Sequence, residues 1–235
     1  MSAIFRRELR AFFTNPIGYV VLAVLFGISG FFFFSYNLTG GIASLSYVYD
    51  SLFMVVLLSL PFLTMRLFSE EKRQKTDQAL LTAPTSLTGI VLGKFLATLT
   101  LFAIGLSITL VFAIIIALQT SPGWMMVAGN YIGLLLVGGL IIAIGVFISC
   151  LTESQIVAAI GTLAISLLLM CIDMLSALFS SFNWLVTTIS FLSITSRFGD
   201  FTAGLIYYDN VIFFLSLQAL FLFLTVRVLD RKRWN

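Results

Sequence analysis

Six long apolar runs dominate this sequence of 235 residues. The hydrocarbon core of a bilayer is crossed by about 20 residues of α-helix. The runs are residues 17–36, 52–68, 89–118, 126–150, 156–180 and 207–228. Because a segment in lipid must satisfy its own backbone hydrogen bonds, we expect each run to be helical. The sequence therefore predicts an all-α, polytopic integral membrane protein, a single domain with six transmembrane helices.

The composition agrees with this fold class. Charged residues make up 10% of the chain, against about 25% in a typical soluble domain. Pro61 lies within the second run, where neighbouring helices can satisfy the carbonyl that a proline leaves free. A further apolar stretch, 183–196, is short and rich in Ser and Thr. We therefore assign it to an outer segment, 181–206.

The basic residues predict the orientation of the chain. Twelve of the 13 Lys and Arg residues cluster before the first run, around the connection between the second and third, or at the end of the sixth, and Arg197 is the exception. Basic residues are retained on the cytoplasmic side of membranes. We therefore expect a multi-pass protein of the cell membrane with both termini and loop 69–88 in the cytoplasm. This placement explains the net charge of +3 without a nucleic-acid partner.

The first 16 residues predict an interfacial helix. Phe5, Leu9 and Phe12 recur at helical spacing, and three arginines, Arg6, Arg7 and Arg10, take the other side. Such a helix lies in the plane of the membrane surface. We expect residues 1–16 to lie along the inner leaflet of the bilayer before the first span.

The loop 69–88 carries an unusual density of charge for this chain. Ser69 is a good N-cap, and Glu70 and Glu71 suit the first turn of a helix. Pro84 would end that helix, because the residue before a proline is pushed out of the α region. The pattern predicts a helix over about 70–82. From the residues alone, it is equally a solvated helix or a docking surface for a cytosolic partner.

Residues 70–99, EEKRQKTDQALLTAPTSLTGIVLGKFLATL, resemble the coupling-helix region of ABC-2 type transporter permeases, in particular the gliding-motility-associated group. The resemblance consists of an acidic residue, a basic cluster, a threonine, a leucine pair, a proline and a Gly-Lys pair. These are Glu71, Lys72, Arg73, Thr76, Leu80, Leu81, Pro84, Gly93 and Lys94. Lys75 stands where the family often has glycine, which predicts a straighter helix here. The interfacial helix, the six spans and the long segment between spans 5 and 6 fit the same family.

The resemblance implies a function in transport. The chain would be the permease subunit of an ATP-binding cassette exporter, paired with a second permease subunit, identical or different, and with a separate cytosolic ATPase. The charged residues Glu70, Glu71, Lys72 and Arg73 would contact the ATPase, while Leu80 and Leu81 would pack against the membrane domain. In this family, the region equivalent to 181–206 forms re-entrant or interfacial helices that cap the pathway.

The sequence offers no catalytic machinery of its own. It contains no histidine, which excludes triads and metal sites that depend on one. The nearest approach to a phosphate loop, Gly89 to Phe95, has three residues between its glycines where four are needed, and Phe where a hydroxyl belongs. We expect no enzyme activity and no directly bound cofactor or metal, with ATP bound by the partner ATPase. Gly93 and Lys94 are then the cytoplasmic start of the third span.

Two membrane features allow more than one interpretation. Asp173 is an acid within the fifth run, where an ionised carboxylate must face protein or water. It is either a pathway or subunit-contact residue, or an acid near the outer end of the span that reaches headgroup water. Gly129 and Gly133 form a small-xxx-small pattern that permits close helix approach, including between subunits.

Two other functions remain open beside the exporter. One is a non-transporting membrane anchor or scaffold subunit of a motility or cell-envelope complex. The other is a secondary transporter, which is disfavoured because one intramembrane acid offers little ion-coupling apparatus and no inverted repeat is evident.

Overall fold

The computed structural model describes residues 2–76, 86–178 and 193–234, with only the backbone for Ser2, 172–178 and 232–234. All regular secondary structure in these ranges is helical. We number the α-helices in chain order: α1 Ser2–Thr14, α2 Pro16–Phe33, α3 Ser46–Thr64, α4 Ser69–Arg73, α5 Leu87–Leu106, α6 Ile108–Ala117, α7 Trp124–Leu151, α8 Gln155–Leu178, α9 Ile194–Thr202 and α10 Tyr208–Trp234. A π-helix, Phe34–Thr39, continues α2.

Within the described residues, five helical segments are long and apolar enough to cross a membrane. They are Pro16–Thr39, Ser46–Arg73, Leu87–Ala117, Trp124–Leu151 and Tyr208–Arg231. Helix α8 has 24 residues, and the part with described side chains, Gln155–Cys171, is a shorter apolar helix. The chain thus has the fold of a polytopic helical membrane protein, and the sixth span stays a prediction.

The second span begins earlier than predicted. Helix α3 starts at Ser46 rather than at 52, with Leu45 as its N-cap. The carbonyl oxygen of Leu45 accepts the first hydrogen bonds of the helix, from the N–H groups of Val48 and Tyr49. Tyr49, in its second turn, is fully buried and donates to Oγ1 of Thr109 at 2.8 Å. The helix that contains the second span therefore includes residues 46–51, ahead of the predicted run 52–68.

Helix α7 is the most buried of the candidate spans, and it packs against α3, α5, α8, α9 and α10. A Cβ atom on Gly133 would lie 2.7 Å from Cβ of Phe201 in α9, so the missing side chain is what allows this approach. On Gly129 it would lie 3.0 Å from the carbonyl oxygen of Phe201. The small-xxx-small pattern of Gly129 and Gly133 therefore packs against α9 of the same chain.

Helix α9 closes one end of the bundle. Its buried residues are Ile194, Phe198 and Phe201, and Phe198 stacks on Phe53 of α3 with ring centroids 4.8 Å apart. Residues 193–206 of the outer segment thus contain a short helix packed onto the bundle. The other part of the predicted re-entrant or interfacial segment, 181–192, lies outside the described residues.

The opposite end of the bundle, which we call the basic end, carries most of the Lys and Arg residues. Helix α1 packs there against α5 and α2, burying Ile4 and Phe12. The guanidinium of Arg66 lies 5.3 Å from the centre of the Phe12 ring. The ring centroids of Phe221 and Phe147 are 5.9 Å apart, so α10 lies beside the last turns of α7. Arg227 and Arg231 of α10 therefore lie at the same end of the bundle. The grouping of basic residues is thus seen in three dimensions, while the side of the membrane that they face stays a prediction.

Candidate functional site

The candidate site is built around the short helix α4 at the basic end. Its first N–H groups are satisfied by another helix, because the N–H groups of Phe68 and Ser69 both donate to Oγ of Ser149 in α7, at 2.8 and 3.2 Å. The prediction of Ser69 as N-cap was wrong. Phe68 occupies that position, and the Ser69 hydroxyl donates back to the carbonyl oxygen of Met65.

Helix α4 ends at Arg73, not near residue 82. The N–H of Thr76 donates to the carbonyl of Glu71 at 2.9 Å, and the N–H of Lys75 donates to that of Lys72 at 3.0 Å. These two bonds form a Schellman motif, which requires a left-handed residue after the C-cap. Lys75 is that residue, with a φ of 57°. The expectation of a straighter helix at Lys75 was therefore wrong, since the chain turns there as glycine would allow.

Lys94 lies at the centre of the site. Its side chain is 1% exposed, although it lies in the third apolar run. Nζ donates to the carbonyl oxygen of Leu67 at 2.6 Å, and lies 3.1 Å from Oε1 of Glu8 and 3.0 Å from Oε1 of Glu71. Its charge also lies 5.0 Å from the centre of the Phe68 ring. One buried ammonium group thus connects α1, the turn before α4, α4 itself and α5.

Arg7 completes this cluster, which we call the Lys94 network: Arg7, Glu8, Glu71 and Lys94. One guanidinium nitrogen of Arg7 lies 2.6 Å from Oε1 of Glu8 and 2.8 Å from Oε1 of Glu71. Two positive and two negative charges therefore neutralise one another. Lys94 is fully enclosed, the two carboxylates are mostly buried, and Arg7 is half exposed.

The charges of the network shift one another's protonation. Burial raises the pKa of Glu8, but the charges of Lys94 and Arg7 and their hydrogen bonds outweigh it and hold that pKa below its ordinary value. Burial lowers the pKa of Arg7, and the two carboxylates more than reverse this, so its pKa lies above the usual one. Both shifts favour the charged forms of Glu8 and Arg7.

The predicted contact residues divide between two faces of α4. Glu71 and Lys72 face the membrane domain, Glu71 through the Lys94 network and Lys72 through a hydrogen bond from Nζ to the carbonyl oxygen of Cys150. Arg73 and the turn 74–76 are exposed, and Glu70 is half-buried. Contact with an ATPase stays a prediction for Glu70, Glu71, Lys72 and Arg73, but Glu71 and Lys72 already have partners within the chain.

The other predicted residues fall in different places. Thr76 ends the Schellman motif and donates its hydroxyl to the carbonyl of Glu71 at 3.2 Å. Leu80, Leu81 and Pro84 lie outside the described residues. Asp173 belongs to α8, but its side chain is outside the described set, so its role stays a prediction.

Sequence reasoning missed Glu8 and Ser149 and read Lys94 as a marker for the start of a span. A signal for Lys94 was present, because a lone charge inside an apolar run must be paired or hydrated. The partner could not be named, since Glu8 is 86 residues away in sequence. Ser149 gave no signal, because a serine in an apolar helix commonly bonds its own backbone.

A smaller polar cluster lies at the end of the bundle opposite the Lys94 network. Arg197 donates to Oδ1 of Asn210 at 2.6 Å, and Nδ2 of Asn210 donates to Oδ2 of Asp200 at 2.8 Å. The guanidinium of Arg197 lies 4.2 Å from the centre of the Phe213 ring. These contacts join α9 to the start of α10. In the described ranges, no group of three or more His, Cys, Asp and Glu side chains could hold a metal ion.

No protein-family model matches the sequence, and no curated protein matches it significantly. The residues of the site and the motif over 70–99 therefore carry the functional assignment.

Proposed function

We propose that this chain is the membrane permease subunit of an ATP-driven exporter of the ABC-2 type. It would work with a separate cytosolic ATPase and a second permease subunit, identical or different. The observation that carries the proposal is the buried contact of Lys94 with both Glu8 and Glu71, which fastens α4 to two neighbouring helices while leaving Arg73 and the following turn 74–76 exposed.

A coupling element needs one surface for the motor and another that is fixed to the part that moves. The exposed turn at Arg73, Gln74, Lys75 and Thr76 supplies the first surface. The second is supplied by contacts on three sides: Glu71 to Lys94 in α5, Lys94 onward to Glu8 in α1, and the N–H groups of Phe68 and Ser69 to Ser149 in α7.

This arrangement supports transmission by rigid displacement. Breaking a buried ion pair leaves an uncompensated charge, at a cost of about 3–5 kcal/mol. A push on the exposed turn would therefore move α1, α4 and the start of α5 together, instead of separating them. Helix α3 leads directly into the site and α5 leaves from it, so the displacement would enter two candidate spans.

The lack of a phosphate-loop motif in the sequence supports placing ATP hydrolysis on a separate polypeptide. The placement of the basic residues supports a cytoplasmic position for α4, which is where a soluble ATPase would meet it. The motif over 70–99 supports the same assignment.

The test compares two double charge reversals in the full chain, isolated with the phosphate-loop ATPase that co-purifies with it. Arg73→Glu with Lys75→Glu alters the exposed turn, and Arg227→Glu with Arg231→Glu makes the same change of charge on α10. We expect the first pair to lose the ATPase and its stimulated hydrolysis while still inserting into the membrane. We expect the second pair to keep both. Equal behaviour of the two pairs would remove the docking role of the turn.

A scaffold could also bind an ATPase, so transport is measured separately. Inverted membrane vesicles containing the complex are given ATP or ADP, and their lumen is analysed by mass spectrometry. An exporter accumulates a compound with ATP and not with ADP, and this accumulation is lost in the Arg73→Glu, Lys75→Glu pair. ATPase binding without any such compound would favour the anchor or scaffold function.

A further inference from the structure

The outward face of α1 forms a cationic groove beside the Lys94 network, and Arg7 belongs to both. Six residues line it: Ala3, Arg6, Arg7, Leu9, Arg10 and Phe13. Its volume is about 730 Å³, large enough for a polar headgroup. Arg6 and Arg10 are both exposed and lie one helical turn apart, on the same face of the helix.

Helix α1 is held firmly in the position that creates this groove. Ile4 and Phe12 are buried on its inward face, and Gly93 of α5 lets the backbone of α1 approach closely. A Cβ atom on Gly93 would lie 3.0 Å from Cγ2 of Ile4 and 3.4 Å from the backbone nitrogen of Phe5. The arginines on the opposite face are therefore presented by a fixed scaffold.

The charges of Arg6 and Arg10 have no acidic partner within the part of the chain that the structure describes. Among the described residues, the ion pairs of α1 involve Arg7 and Glu8, and neither Arg6 nor Arg10 takes part in one. Two guanidinium groups on one face can receive a phosphate through several hydrogen bonds, which is the ligand geometry that arginine favours.

Aromatic side chains beside the arginines indicate the source of that phosphate. Phe13 is 38% exposed and lines the groove, and its ring meets the ring of Tyr19 edge to face at 6.1 Å. Tyr19 is 55% exposed in the first turn of α2, a candidate span. Exposed aromatic rings beside arginines, at the end of a membrane-crossing helix, are typical of the headgroup layer.

We propose that the groove of Arg6, Arg10 and Phe13 binds the phosphate headgroup of an anionic phospholipid in the adjoining leaflet. The headgroup phosphate lies between the two guanidinium groups, and the acyl chains run along α2 past Tyr19. The proposal needs only the membrane location of the chain, so it stands or fails independently of transport. The competing occupant, an acidic protein surface, would not call for exposed aromatic rings at the edge of the groove.

The test uses the full chain in detergent, titrated with phosphatidylglycerol or with phosphatidylcholine of the same acyl chains, and native mass spectrometry counts the bound lipids. We expect phosphatidylglycerol to bind more tightly. Arg6→Gln with Arg10→Gln should weaken its binding by up to about twenty-five-fold, since each basic residue near an anionic surface contributes roughly fivefold. Phosphatidylcholine binding should not change.

Arg227→Gln with Arg231→Gln is the matched control, because it removes the same charge at the same spacing from another helix of the basic end. Equal losses in both variants would show bulk charge attraction and overturn the groove as a site. Equal binding of the two lipids to the wild type would overturn it as well. A thermal unfolding curve without added lipid shows whether each variant is folded.

Two soluble probes test the other possible ligands of the groove, which are free phosphate and an acidic protein surface. Inorganic phosphate should not displace the lipid at millimolar concentration, and displacement would assign the site to free phosphate. Poly-glutamate stands in for an acidic protein surface. Poly-glutamate binding that is lost in the Arg6→Gln, Arg10→Gln variant, with phosphatidylglycerol binding intact, would assign the groove to a protein partner and overturn the lipid proposal.

Discussion

Nζ of Lys94 lies 3.0 Å from Oε1 of Glu71, and this contact joins α5 to the short helix α4 through a buried ammonium group. The same nitrogen lies 3.1 Å from Oε1 of Glu8 in α1. Three segments that are far apart in the chain therefore share one buried charge, which makes this contact the most sensitive point of the basic end.

Removing the positive charge should destabilise the protein strongly. Lys94→Met leaves Glu8 and Glu71 mostly buried with only Arg7 to compensate them, and the expected cost is about 3–5 kcal/mol. The measurement is thermal unfolding in detergent. Neutralising the three buried members together, with Glu8→Gln and Glu71→Gln added to Lys94→Met, should recover much of the loss, because the one charge that remains, on Arg7, is half exposed and can be hydrated. A triple variant no better than Lys94→Met would contradict this account.

The ion pairs of Glu8 should make the stability of the protein depend on pH in the acid range. Its pKa is held below its ordinary value, so its contribution is fully present above the unfolded-state pKa and is lost as the pH falls through the lower folded-state pKa. Unfolding temperatures should therefore drop with pH in the acid range for the wild type. The drop should be shallower in Glu8→Gln, which has no carboxyl group to protonate.

Glu153→Gln is the control for that measurement, because Glu153 is exposed between α7 and α8 and forms no ion pair within the described residues. It should keep the wild-type pH dependence. If Glu8→Gln and the wild type lose stability in parallel, the Glu8 ion pairs do not contribute to it.

The turn after α4 should become more stable with glycine at position 75. Lys75 has a φ of 57°, a conformation that costs a residue with a Cβ roughly 1–2 kcal/mol. Lys75→Gly should raise the opening free energy of α4 by roughly 0.5–1 kcal/mol, since the greater freedom of glycine in the unfolded chain offsets part of the gain. Amide hydrogen exchange of residues 69–76 measures this opening.

Gln74→Gly is the matched control, because Gln74 has an ordinary helical φ of −84°, where glycine brings no relief. It should increase exchange in α4, and Lys75→Val should do so as well because a β-branched residue is poorly tolerated at positive φ. Slower exchange in Lys75→Val than in the wild type would contradict the left-handed turn.

Apolar run lengths predicted the general fold because lipid leaves the backbone few alternatives to a helix. The helix predicted over 70–82 is interrupted at 74–76 because the backbone of Lys75 takes a left-handed conformation, and a lysine in the sequence gives no sign of this. The Ser69 N-cap failed for a related reason. Ser149 of α7 supplies the hydrogen bonds that sequence reasoning gave to the nearest hydroxyl. Local patterns therefore predicted the spans, and contacts between distant segments decided the site.

The position of α1 should depend on the absence of a side chain at Gly93. Leucine there would place its Cβ 3.0 Å from Cγ2 of Ile4 and 3.2 Å from its Cβ, so α1 must move away from α5. Overpacking of this kind costs about 1–3 kcal/mol, and the shift also draws Glu8 away from Lys94. Gly93→Leu should therefore unfold at lower temperature and should be cut by trypsin at the arginines of α1. Gly30→Leu is the matched control, because a Cβ on Gly30 of α2 has no neighbouring atom within 4 Å, and it should match the wild type in both measurements. Trypsin resistance in Gly93→Leu equal to that of Gly30→Leu would show that α1 does not rely on this close approach.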